Sequence, residues 1–145
     1  MIRALVSAIL ATLTAFPVLA AVEIKEITSP GGIKAWLVEE HSIPFVALEL
    51  RFRGGTSLDA PGKRGAINLM TALIEEGAGE LDSQGFAAAR ESLAADITFD
   101  SYSDAVSVSA RFLTENRDAS TDLLRKALTE TRFDPDAVER VKAQV

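Results

Sequence analysis

Between Phe45 and Arg53 the side chains alternate at every step, Val46, Leu48, Leu50 and Phe52 against Ala47, Glu49, Arg51 and Arg53. That two-residue period is the pattern of a strand with one covered face and one wet face. The stretch that follows, Gly54 to Gly62, carries two glycines in front and Pro61-Gly62 behind, and such breakers make it a loop. From Arg64 the period changes. Ala66, Leu69, Met70 and Leu73 fall at i, i+3, i+4 and i+7, which is one face of a helix.

The same reading extends along the chain. Val22 to Thr28 and Ile33 to Glu39 are extended runs joined by the turn residues Ser29-Pro30-Gly31-Gly32. His41-Ser42-Ile43-Pro44 connects them to the strand at Phe45. A second helix is expected from about Ser83, taken as its N-cap, with Phe86, Ala89, Arg90 and Leu93 on one side. Ile97 to Tyr102 and Ala105 to Leu113 form a hairpin across Ser103-Asp104, with Val106, Val108, Ala110 and Phe112 as its apolar face. A third helix has the stripe Ala119, Leu123, Leu124, Ala127 and Leu128. Asp134-Pro135 opens a fourth as N-cap and N1. Its apolar positions Val138, Val141 and Val145 run to the last residue without a capping glycine. The order β-β-β-α-α-β-β-α-α predicts an α+β fold, a mostly antiparallel sheet with helices packed on one face.

The first twenty residues have the layout of a cleavable export leader. Arg3 supplies the positive start, Ala4 to Phe16 the short apolar core, and Val18-Leu19-Ala20 the small-x-small cleavage site. The apolar run stops at Pro17, short of the ~20 residues that a stable membrane anchor needs. The chain has no cysteine, which removes disulfides, a thiol nucleophile and a lipoprotein linkage. Export without disulfides fits a bacterial periplasm. The formal charge is −6, and loss of Arg3 with the leader makes it −7. An acidic chain of this kind argues against nucleic acid as a partner, because phosphate binding rests on basic patches. The division expected is a leader over residues 1–20 and one domain over residues 21–145, truncated at its C-terminal side.

The helix from Gly65 to Gly77 has a more specific resemblance. Its flanking pattern is similar to the active-site helix of the M16 (insulinase/pitrilysin, mitochondrial-processing-peptidase-like) family, roughly G-x-x-H-F-L-E-H-M-x-F-x-G. On that frame Asn68 takes the place of the first histidine, Thr71 of the glutamate, Ala72 of the second histidine, and Gly77 is the closing glycine. In the H-x-x-E-H motif the two histidines bind zinc and the glutamate activates water. Helical spacing places Asn68, Thr71 and Ala72 on a shared face. Alanine has no donor atom, asparagine is a weak zinc ligand, and threonine is no general base at neutral pH. The family's third ligand, a downstream glutamate, has no clear counterpart. The resemblance extends through Glu39-Glu40-His41-Ser42-Ile43-Pro44, Arg53-Gly54-Gly55-Thr56 and Arg132-Phe133-Asp134-Pro135, and covers nearly all of Val22 to Val145. It implies an N-terminal M16-like lobe, of the LuxS/MPP-like metallohydrolase fold, with no catalytic, cofactor-binding or metal-binding residues of its own.

Other chemistry in the chain is thin. Glu75 and Glu76 are adjacent carboxylates without a histidine, and a solvated or salt-bridged helix end accounts for them. His41 is the sole histidine; zinc needs a cluster, and Ser42 or Ser57 lacks the glycine-framed elbow of a serine nucleophile. Gly54-Gly55-Thr56-Ser57 is not a phosphate loop, since Gly62-Lys63-Arg64 lacks the Ser/Thr that must follow the lysine. Trp36 and Tyr102 are read as core or interface aromatics.

The resemblance implies a non-catalytic, M16-like periplasmic protein acting as partner or scaffold of a zinc-bearing M16 metalloendopeptidase. In such pairs the zinc sits in the sister subunit, and a peptide occupies the chamber that the two share. Three other readings stand beside it. One is a zinc metalloendopeptidase lineage member whose activity needs residues outside this chain. Another is a structural subunit like the core proteins of a respiratory complex, which the export leader argues against. The last is a free-standing peptide-binding or chaperone-like module that uses its inner sheet face.

Overall fold

The computed structural model describes residues 22–144, in a first unit that ends at Ser42 and a second that begins at Ile43. The leader expected over residues 1–20 and the terminal Val145 lie outside the described residues. No described helix is long and apolar enough to cross a membrane.

The first unit is an antiparallel hairpin of β1 (Ile24–Thr28) and β2 (Lys34–Val38), in register from Ile24 opposite Val38 to Thr28 opposite Lys34. The turn closes as its residues require. Gly32 takes a φ of +85° and donates to the Ser29 carbonyl at 2.9 Å, while the Ser29 hydroxyl accepts from the Ile33 amide at 3.0 Å. Cross-strand ion pairs join Lys25 to Glu39 and Lys34 to Glu26. The Lys25 ammonium holds the Glu39 carboxyl below its ordinary range. Trp36 is 82% exposed, so of the two expected roles, core or interface aromatic, the core role is not met there.

In the second unit the strict alternation forms β3 (Phe45–Arg53). A loop and a single 3-10 turn lead from it to α1 (Ala66–Leu73). Then come the two-residue strands β4 (Gly77–Ala78) and β5 (Leu81–Asp82), followed by α2 (Ser83–Ser92). The hairpin β6 (Asp96–Ser101) and β7 (Ala105–Leu113) precedes α3 (Arg117–Thr129) and α4 (Pro135–Lys142). The main sheet has the order β3-β7-β6, and every pairing in it is antiparallel.

One face of that sheet carries the core. Val46, Leu48 and Leu50 of β3, Val108, Ala110 and Phe112 of β7, and Ile97 and Phe99 of β6 form one cluster with helix residues Phe86, Leu123, Leu124 and Ala127. Burying a side chain such as Phe86 or Ile97 stabilises the fold by about 1.5–3 kcal/mol. Phe52, expected on the same face, lies at the strand's end and is half exposed. The expected helix-on-sheet α+β arrangement is therefore what the chain forms.

Several local expectations change. The helix from Ala66 ends at Leu73, earlier than the motif frame implied, and tightens to a 3-10 turn at Ile74–Glu76. The cap of α2 is Asp82, one residue before Ser83; its carboxylate accepts from the Gly85 amide at 2.8 Å. On α3 the buried position belongs to Ser120, and Ala119 is exposed. The described part of the α4 stripe is covered, since Val141 and Ala137 are buried with Leu73, and Leu69 and Val138 pack beside them.

Candidate functional site

The helix α1 is set by the loop in front of it. The Gly54 amide donates to the Asp104 carbonyl at 2.8 Å, Thr56 to Tyr102 at 2.8 Å, and Ser57 to Ser103 at 3.0 Å. These bonds dock the loop on the β6–β7 turn. Gly55 makes the approach possible: a Cβ there would stand 1.9 Å from the Tyr102 carbonyl oxygen. Tyr102 itself is 51% exposed, with the Arg51 guanidinium carbon 6.0 Å from its ring centre, and is not a core aromatic.

The loop then caps the helix. Gly65, at a φ of +90°, is the N-cap residue and has no side chain to offer. Asp59 supplies the carboxylate instead, accepting from the Gly65 amide at 2.7 Å and the Ile67 amide at 3.1 Å. Two donors that a helix start leaves unpaired are thus satisfied by one side chain. The sequence did not single out Asp59, because a cap six residues upstream has no local signature.

The three motif positions do not share an accessible face. Asn68 and Ala72 are exposed, one turn apart, while Thr71 is 3% exposed. The Thr71 hydroxyl donates to the Ile67 carbonyl at 2.8 Å, so its hydrogen is committed to the helix backbone. The Asn68 amide oxygen accepts from the Ser101 hydroxyl at the end of β6, a partner that the sequence reading missed. Helical phase tells which residues adjoin. It does not tell which of them the neighbouring elements cover.

The carboxylates after α1 are ion-paired, as a salt-bridged helix end requires. Arg90 of α2 bonds Glu75 at 2.6 Å and also donates to the Ile97 carbonyl at 3.2 Å. Arg140 of α4 is paired with Glu76. Gly77 closes the segment at a φ of +137°, and a Cβ there would meet the Leu81 carbonyl oxygen at 2.8 Å. His41 is exposed in the connection after β2. Beside it the Ser42 amide donates to Glu40 at 2.8 Å, and that bond lowers the Glu40 pKa. Among the described residues no three His, Cys, Asp or Glu side chains form a group able to hold a metal ion. The zinc of an H-x-x-E-H helix does not fit the residues here. Asn68 offers only a neutral amide, Ala72 a methyl group, and Thr71 a hydroxyl turned to the backbone.

No family model matches the chain. It is 32% identical over 107 residues to the "non-peptidase homolog YmxG" of Helicobacter pylori, a match covering 74% of this chain and 25% of that protein. Among solved structures it is similar to a peptidase M16 inactive domain from Pseudomonas fluorescens, with a TM-score of 0.79 and 27% identity over 85% of this chain. The chain is an M16-family homologue. Pitrilysin and a protease from Helicobacter pylori match with TM-scores of 0.72 at 13% identity over 86% of this chain, which speaks for the fold alone. This M16 homologue spans a quarter of its curated relative, 30% of the Pseudomonas chain, 30% of the Helicobacter protease and 13% of pitrilysin.

Proposed function

We propose that this M16 homologue is a non-catalytic periplasmic protein that serves as partner or scaffold of a separate, zinc-bearing M16 metalloendopeptidase acting on peptides. The observation that carries the reading is the state of α1. The helix is capped, docked and closed by glycine, yet Asn68 and Ala72 present no ligand pair and Thr71 is buried. A scaffold kept to close tolerances without metal-binding side chains fits a role in assembly better than one in hydrolysis. The non-peptidase designation of the Helicobacter relative and the inactive-domain designation of the Pseudomonas structure support the same reading. Arg3, the Ala4–Phe16 run and Val18-Leu19-Ala20 support export.

The test is affinity purification of the full-length protein from its native periplasm, followed by mass spectrometry and a peptide-hydrolysis assay. The expected result is co-purification with an M16 protein carrying an intact H-x-x-E-H motif, and hydrolysis only while that protein is present. Recovery from the cytoplasm, hydrolysis by the protein alone, or repeated recovery without an M16 partner overturns the proposal. In the last case a tight peptide complex would favour the free-standing binding module.

A further inference from the structure

We draw no further inference here: the strongest candidate, the acidic cleft of about 430 Å³ between the starts of α2 and α4, has three of its carboxylates, Glu76, Asp82 and Asp134, already bonded to Arg140, the Gly85 amide and Arg132, and beyond that acidic cluster no second feature of the structure points to a ligand.

Discussion

The loop that leads into α1 and the motif positions on α1 are adjacent in sequence and opposite in tolerance. In the loop, Gly55 admits no Cβ and Asp59 holds two amides at the helix start. On the helix, two of the three positions that would carry metal chemistry are exposed, and among the described residues only Asn68 has a side-chain partner, Ser101. The requirements of the fold and of zinc chemistry therefore fall on different residues, except at Thr71, which is buried and bonded to the helix backbone. A chain can lose the second set and keep the first, because the loop contacts, backbone bonds together with the Asp59 carboxylate cap, involve no metal.

The comparison breaks most visibly at Gly55. Gly55→Ala pushes a methyl group to 1.9 Å from a backbone oxygen that cannot move without displacing the β6–β7 turn. A loss of about 3 kcal/mol or more is expected, at the upper end for overpacking. Chemical denaturation of the two proteins gives the difference directly; a loss below ~1 kcal/mol would show that the loop is not docked as described.

Thr71 is the position where scaffold and motif coincide, and it separates the two accounts next. Thr71→Glu places a carboxylate in a 3% exposed site with no cation bonded there. Burying a charge without a partner costs several kcal/mol, or leaves the acid protonated. We expect destabilisation of about 2–4 kcal/mol, whereas Ala72→His, on the exposed side, stays within ~0.5 kcal/mol. Equal effects at the two positions, read by thermal melts, would mean that both face solvent.

Asp59→Ala has a smaller expected effect. It unpairs the Gly65 and Ile67 amides at the helix start, and lost N-caps cost about 0.5–2 kcal/mol. Faster amide exchange confined to the first turn of α1 is the measurement that identifies this cause. Uniform exchange across the second unit would point to another one.

What could be read from the sequence follows from where the information lies. The alternation of β3 and β7 fixes a covered face by itself, and the structure places Val46, Leu48, Leu50, Val108, Ala110 and Phe112 there. Asp134-Pro135 likewise marks the start of α4, through the proline at N1, while the Asp134 carboxylate makes no capping bond and accepts from Arg132 instead. Contacts made at a distance leave no such trace. Ser120 is fully buried although its hydroxyl has no hydrogen-bond partner among the described residues, so polarity sent the α3 stripe one residue off, to Ala119. β4 and β5 have two residues each, too few for any period to register. Val141 reads as an open stripe in a helix taken alone and is buried once Leu73 packs on it. At the site, the replaced motif is plain in Asn68, Thr71 and Ala72. The burial of Thr71 and the Asp59 cap depend on tertiary placement.

The central claim is that α1 of this M16-like fold carries no metal-binding side chains at Asn68, Thr71 and Ala72. Metal analysis of the purified protein, dialysed after exposure to excess zinc, tests it most directly. The account predicts zinc far below stoichiometric, because one amide, one methyl group and one committed hydroxyl provide no tetrahedral ligand set. Retention of about one zinc per chain, lost on substitution of Asn68 by alanine, would contradict it.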